Sequence, residues 1–502
     1  MSRGERDGDG VSPEALYPYG FERTALVGDL RDRFGSLEPG AETGEPVAVA
    51  GRLRTIRSHG KVSFADLEDA SGRLQLFAQH ALLGDEGMQS FNQLNVGDIV
   101  GAEGEVVTTR RGELSLAVTG LTLLAECRRP MPEKWHGLTD VEARYRLRYL
   151  DFLVNPEARR VIDARAQANH SIRSFFARRG FVEVETPLLQ LQAGGAVARP
   201  FVTHYEPNEI DLFLRIAPEL YLKRLLIGGF ERVYELNRSF RNEGMSARHL
   251  PEFTMLEAYE AYVDYHDTMS LVEELLRAIA EATTGGLQIQ SSEGMVDFEP
   301  PFRRLTMFEA IEEATGTDLE PMWRAGDAHG LGRCAAAAGL RSDPSWGPGK
   351  VVLEIFEATA ERALGGPAFV VGFPKEVSPL AKDHRSIEGF TEQSDLVVGG
   401  VEMAAIYSEL NDPDEQRGRF EHQLALRFAG DQEATLPDED FLEALAYGMP
   451  PAGGFGLGID RLLTCLLGAP SIREVVAFPI LRPEGPRGGP ADAPRNTQAR
   501  SG

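Results

Sequence analysis

The sequence predicts an α+β protein in which a small β-barrel precedes a larger domain built on an antiparallel sheet flanked by helices. Three observations carry this. From Pro46 to about Leu124, five short segments alternate apolar and polar residues between turn signals, as strands of a small barrel do. From Asn155 onward, long helical segments alternate with short apolar runs. No internal repeat or low-complexity core interrupts either pattern.

The length of 502 residues allows roughly two to four domains and at least one large core. No apolar run reaches about 18 residues, so no membrane span is expected. The N-terminal MSRGERDGDGVSPE lacks the apolar stretch of a secretory leader. Cys127, Cys334 and Cys465 are scattered, with no CxxC pair, and read as thiols in a reducing compartment rather than a disulfide or zinc framework. Together these point to the cytoplasm. The net charge of −25 sits badly with phosphate binding over the whole surface. Residues 128–179, however, hold twelve Lys/Arg against six Asp/Glu, so a basic seam on an acidic body is one reading. Solvated helix faces with i,i+4 partners are the other.

Residues 1–13 and 484–502 are rich in Gly, Pro, Ser, Arg and Asp and read as disordered tails. Residues 21–37 look like a short helix, and 14–127 form the first domain. Its strands are VAVAGRL, KVSFADLED, GRLQLFA, DIVGAEGEVVTT and GELSLAVTGLTLL. Five such strands fit the OB-fold, a Greek-key barrel that binds oligonucleotides. Residues 128–145 read as a linker and 146–483 as the second domain. There a helix starts near Asn155-Pro156, with Asn as cap and Pro in the first turn, and ends at Gly180. GFVEVETPLL reads as a strand closing at Pro187, 205–262 as strands and helices of an antiparallel sheet, and 265–370 as a mostly helical insertion. GGFGLGIDRLLTCLLG reads as a glycine-rich strand or turn entering a helix.

Two short runs can carry phosphate chemistry. In FRNEG the guanidinium of Arg241 follows an apolar strand, with Glu243, His249 and the aromatic Phe253 close behind. In GLGIDR, glycines allow close backbone approach and Arg461 falls in the first turn of a helix. Alone, each also fits a plain surface turn with an ion pair. No GxxxxGK[ST] loop exists, so a nucleotide site needs this other architecture.

In combination these runs are specific. The chain resembles the class II aminoacyl-tRNA synthetases of subclass IIb, and among them the lysyl-tRNA synthetases. GFVEVETP matches motif 1, FERVYELNRSFRNEGMSARHLPEFTMLEAY matches motif 2, and GLGIDRLL matches motif 3. GGAVARPF, IAPELYLKRLLIGG, EVSPLAK, YSELND and the barrel run GKVSFADLEDASGRLQLF add to this over roughly 45–483. The resemblance implies a lysine–tRNA ligase with a class II catalytic domain and an OB-fold that reads the anticodon. Its substrates would be ATP, L-lysine and tRNA(Lys), its cofactor Mg²⁺, and its assembly a homodimer through motif 1.

Carried over residue by residue, Arg241 would meet the α-phosphate and the lysine carboxylate. Glu243 and His249 would hold ATP, Phe253 would stack on adenine, and Arg461 would take the γ-phosphate. Asp395 and Glu402 would hold Mg²⁺. Glu219, Tyr259 and Glu409 would form an acceptor-rich site for the ammonium head, and Gly195 and Glu257 would hold the α-amino group. In the barrel, Arg57, Phe64 and Gln75 match anticodon-reading positions. Where many members read Arg-Glu-Ile-Gly-Asn-Gly, this chain has VEMAAI, so Val401 and Ala405 replace an Arg and an Asn. Asp395 replaces a Glu, and Leu250 an Asn. Enzymes that lysylate a protein resemble the catalytic domain alone, and the barrel argues against that reading. A specialised paralogue, or one that binds tRNA without catalysis, is the remaining alternative.

Overall fold

The computed structural model describes residues 17–131, 138–196, 198–341, 346–428 and 437–483. Both segments read as disordered tails lie outside them. The chain divides into two compact units, Met1–Gly137 and Leu138–Gly502.

In the first unit, α1 (Val27–Phe34) leads into β1 (Glu42–His59), β2 (Val62–Glu68), β3 (Arg73–Gln79), α2 (His80–Gln93), β4 (Ile99–Thr108) and β5 (Leu114–Ala125). The strands close in the order β1-β2-β3-β5-β4. All pairings are antiparallel except β3 with β5. Period-two alternation sends Leu74, Leu76 and Ala78 of β3 inward to meet Ala65 and Leu67 of β2 in one apolar cluster. The sequence reading missed α2, which carries Met88 and Phe91 into that core. Its HALLGDEGMQ stretch has a glycine with φ 65° inside it, which broke the helical period.

The second unit opens with α3 (Val141–Arg146), α4 (Arg148–Val154) and α5 (Pro156–Arg178), then β6 (Val182–Glu183), β7 (Leu189–Gln190), β8 (Val202–Tyr205) and β9 (Ile210–Leu214). Next come α6 (Glu219–Ile227), β10 (Arg232–Phe240), β11 (Glu252–Ala261), α7 (Tyr265–Thr284), β12 (Gln288–Ser291), β13 (Gly294–Asp297) and β14 (Arg303–Thr306). A helical run follows: α8 (Met307–Thr315), α9 (Glu320–Arg324), α10 (Ala328–Ala337), α11 (Pro348–Ala358) and α12 (Ala360–Ala363). The unit ends with β15 (Ala368–Pro374), β16 (Phe390–Val398), β17 (Val401–Ser408), α13 (Pro413–Phe428), α14 (Glu439–Leu445), β18 (Ala452–Gly458) and α15 (Ile459–Leu466). Among the described residues the main sheet has eight strands, ordered β14-β15-β16-β17-β18-β11-β10-β6. Its middle is antiparallel, and only the edge pairs β14 with β15 and β6 with β10 are parallel. The α+β expectation is met.

Several local readings are corrected. The motif 1 strand is only Val182–Glu183, because it is an edge strand with one neighbour and Pro187 lacks a donor. Beyond it, side chains replace the ladder: Thr186 donates to Glu235 at 2.7 Å, and Arg215 to the Thr186 carbonyl at 3.1 Å. Asn155 stands at the N-cap of α5 but does not cap it; its amide donates to Asp151 at 2.5 Å. The segment read as mostly helical contains β12, β13 and β14, built on the alternation in QIQS and a turn at Gly294. The basic run is largely engaged with carboxylates, several of them from elsewhere in the chain. Arg148, wholly buried, pairs with Asp151, Arg144 with Asp151 and Glu474, Arg165 with Asp460, and Arg173 with Glu183.

Candidate active site

The main sheet has one apolar face and one chemical face. On β11, Leu256 and Ala258 enter the core with Phe455 and Leu457 of β18 and Ala404 and Ile406 of β17, packed against α5 and α7. The residues between them face the other way. They are Phe253, Met255, Glu257 and Tyr259 on β11, Gly454 and Gly456 on β18, and Ala405 and Tyr407 on β17. Glycines stand opposite Glu257 and Tyr259 in the register, so the side chains have room above the sheet.

Two cavities lie on this face. The first is lined by Arg241, Glu243, His249, Phe253 and Arg461, together with Arg248, Glu402, Gly456 and Gly458. All five residues expected to hold a nucleotide therefore share one space. Arg241 follows β10 directly, and its guanidinium lies 5.1 Å from the Phe253 ring centroid. Its Nε is buried without a hydrogen-bond partner, an orphan donor in a cleft of this chemistry. Arg461, in the first turn of α15, donates to the Glu402 carbonyl at 2.8 Å and lies 3.2 Å from His249 Nε2. Burial first, and then the Arg461 charge, hold His249 below the usual imidazole range, so its Nε2 accepts and its Nδ1 faces Ser246 at 2.9 Å. Asp460 accepts from the Thr254 N–H at 2.8 Å and pairs with Arg165, which fixes α15 against β11.

The second cavity is lined by Gly195, Glu219, Glu257, Tyr259, Ala405 and Tyr407, and it shares Arg241, Met255, Glu402 and Gly456 with the first. Gly195 has φ 84°, and a Cβ there would come within 3.0 Å of Glu219 Cβ, so the backbone can approach only as glycine. The Tyr259 hydroxyl donates to Glu257 at 3.3 Å. Burial, then Glu219 and Glu235, push Glu257 well above the usual carboxylate range. Glu409 sits behind the wall, fully buried, with Oε1 lacking any partner. The gap in front of that oxygen exists only because residue 454 is glycine: a Cβ there would lie 2.3 Å from Glu409 Oε1 and 2.5 Å from the Tyr259 ring.

Asp395 and Glu402 lie on neighbouring strands, and burial and then the Glu402 charge push Asp395 well above its ordinary range. Two crowded carboxylates suit a cation. Among the described residues no set of three or more His, Cys, Asp or Glu converges. A pair alone could hold a divalent ion only with other ligands, such as water or phosphate oxygens.

In the barrel unit, Arg57 stands opposite Phe64 across β1 and β2, and Gln75 opposite Asp66 across β2 and β3. Their neighbours Ala65, Leu74 and Leu76 point inward, so Arg57, Phe64 and Gln75 share the outer face. Phe64 is half-buried there, stacked on Phe77 at 5.0 Å with rings 3° apart.

Residues 140–482 match the model of the tRNA synthetases of class II (D, K and N), and 47–124 that of the OB-fold nucleic acid binding domain. The chain is 51% identical to the lysine–tRNA ligase of Moorella thermoacetica, over 93% of this chain and 95% of that one. It is 48% identical to that of Syntrophomonas wolfei, over 93% and 94%, and 47% identical to that of Xanthomonas oryzae pv. oryzae, over 93% of each. The chain belongs to the lysine–tRNA ligase family of class II synthetases.

Within that family frame, the departures have visible settings. Ala405 lines the second cavity, and Val401 lines a neighbouring one of mixed character, with Met403, Cys465, Glu293, Arg248 and Arg461. Leu250 is buried in the core beside the first cavity, where an Asn amide would need partners. The sequence reading missed Gly454, whose role is a matter of empty space. It also missed Lys223, fully buried on α6. Lys223 Nζ lies 2.7 Å from Glu219 Oε1 and 2.5 Å from Glu409 Oε2, the latter an ion pair outside hydrogen-bond alignment. The signal for it was the i,i+4 spacing of Glu219 and Lys223, which more often marks an exposed pair.

Proposed function

We propose that this chain activates L-lysine with ATP to lysyl-adenylate and transfers lysine to the 3′ end of tRNA(Lys). One observation supports it above the others. Two adjoining cavities, one rich in phosphate-binding groups and one acidic, meet at a single guanidinium, Arg241. In that arrangement a lysine carboxylate oxygen attacks the α-phosphorus, the bond to the β-phosphate oxygen breaks, and pyrophosphate leaves. The substrate is itself the nucleophile, so no protein base is needed. The protein positions the reactants and stabilises charge on the α-phosphoryl group. Arg241 meets both the carboxylate and the α-phosphate, Glu243 and His249 hold ATP, Phe253 stacks on adenine, and Arg461 takes the γ-phosphate. Asp395 and Glu402 would hold Mg²⁺, which when bound neutralises phosphate charge. Glu219, Tyr259 and Glu409 receive the lysine ε-ammonium, and Gly195 and Glu257 the α-amino group. A ribose hydroxyl at the tRNA 3′ end then attacks the lysyl carbonyl and AMP leaves.

Arg57, Phe64 and Gln75 read anticodon bases, with Phe64 as the stacking platform. The working form is a cytoplasmic homodimer. Exposed Val182, Leu188, Leu189 and Val202 around motif 1 support a second copy covering them. No described helix is long and apolar enough to cross a membrane.

The test is charging of tRNA(Lys) with labelled lysine in the presence of ATP and Mg²⁺. Lysine-dependent esterification is expected, and its absence from folded protein overturns the reading. Phe64→Ala separates the two steps. Charging should fall by about 10- to 100-fold through lost base stacking, while ATP–pyrophosphate exchange stays unchanged.

pH supplies a further check. Burial pushes Glu409 up to about 7, with Lys223 pulling it down and Glu219 pushing it up. An ammonium ligand needs the carboxylate form. KM for lysine should therefore rise as pH falls through about 7. A KM for lysine that is flat across this range would contradict the assignment.

A further inference from the structure

We infer that Lys223 is a specificity-determining positioning residue: its ammonium, locked between Glu219 and Glu409, leaves the head of the amino-acid cavity one net negative charge, the complement of one substrate ammonium. This rests on the lysine reading of the cavity.

The geometry is unusual for a structural ion pair. Lys223 is 0% exposed and has two carboxylates within 2.7 Å, although one would neutralise it. Around it α6 contributes Leu222 and Leu226, which pack with Phe441, Leu442 and Leu445 of α14. No water reaches it, and its position is fixed by the helix. The groups that face the cluster are Glu219 from α6, Glu257 and Tyr259 from β11, Tyr407 from β17, and Glu409 just beyond β17. Among the described residues Lys223 is the one ammonium beside Glu219, Glu257 and Glu409, and Glu257 also faces Glu235 and Arg241. The oxygen left without a partner, Glu409 Oε1, opens toward Gly454 and Tyr259 on the cavity side.

Charge balance follows. With Glu257 assigned to the α-amino group, Glu219 and Glu409 remain for the side-chain end. Two buried carboxylates this close cannot both stay ionised without a cation. If the only cation were the substrate, the empty cavity would hold a proton on one of the two, and that carboxyl would offer the ammonium a poorer acceptor. Burial favours that proton, and Lys223 opposes it by pulling Glu409 down, to about 7. Burial weighs against its ammonium, and Glu219 and Glu409 outweigh burial and raise it above the ordinary lysine range, so it stays charged. A neutral side chain of lysine's length would leave the remaining charge unpaired, which disfavours it.

The experiment measures lysine-dependent ATP–pyrophosphate exchange across pH for wild type, Lys223→Met, Glu219→Gln and the double variant. In Lys223→Met, KM for lysine should rise about 100-fold with KM for ATP unmoved, as expected for a broken buried pair. Its acid limb should move to higher pH, because Lys223 no longer pulls Glu409 down. Glu219→Gln leaves the head neutral and should use lysine poorly. Adding Lys223→Met to it restores one net negative charge. The double variant should therefore exceed Glu219→Gln in kcat/KM for lysine by about tenfold.

That inversion, in which a second lesion improves the first, is not produced by a merely structural lysine. It is also readable if Lys223→Met alone fails to fold. Losses that multiply in the double variant, or an unchanged KM and pH profile in Lys223→Met, overturn the inference. Wild type without lysine-dependent exchange overturns the proposed function instead.

Discussion

Arg241→Lys is expected to lower kcat for lysine-dependent ATP–pyrophosphate exchange by about 10³-fold, with smaller changes in KM for either substrate. Arg241 lines both cavities, and in the proposed function it touches the attacking carboxylate and the α-phosphate together. Its Nε is buried without a partner, so the donor is pre-aimed and unoccupied. Lysine keeps the charge but loses the planar fork that holds two oxygen ligands at once. The charge that builds on the α-phosphoryl group in the transition state then loses part of its stabilisation. The measurement is steady-state exchange with both substrates varied. A loss confined to KM would mean that Arg241 binds ground states only.

Gly454→Ala is expected to lower kcat/KM for lysine by about 100-fold, through KM, while ATP binding persists. The new methyl would meet Glu409 Oε1 at 2.3 Å and the Tyr259 ring at 2.5 Å. Neither neighbour can yield easily. Glu409 is 1% exposed and pinned by Lys223, and Tyr259 is 3% exposed within the sheet. On the proposed placement of lysine the methyl fills the space the ammonium takes, so affinity falls even if the fold adapts. Circular dichroism and exchange kinetics on the same sample separate misfolding from the lysine defect. A variant with wild-type KM for lysine would place the ammonium elsewhere.

How much of this was legible follows from the kind of signal each feature leaves. The barrel strands were readable because β2 alternates strictly and β3 nearly so, with Gln75 buried as well, which also explains why Phe64 faces out and Leu74 in. Arg241 and Arg461 were readable as chain-local runs beside strand and helix boundaries. Features that depend on distant partners were not. The edge position of Val182–Glu183 depends on β10, far along the chain, so the motif 1 strand was overdrawn. α2 was hidden by a glycine inside its period. Lys223 needs Glu409, which lies far along the sequence, to be seen as more than half of an i,i+4 pair. Gly454 carries no side chain to notice, and its function is the volume it leaves between two others.

The central claim is that the acidic cavity beside Arg241 takes lysine for adenylation. ATP–pyrophosphate exchange measured with each proteinogenic amino acid in turn, at one protein concentration and saturating ATP and Mg²⁺, tests it most directly. The structure predicts robust exchange with lysine and at most background exchange with the others, arginine and the neutral aliphatic residues included. No lysine-dependent exchange from folded protein, or stronger exchange with an amino acid lacking a side-chain ammonium, would contradict it.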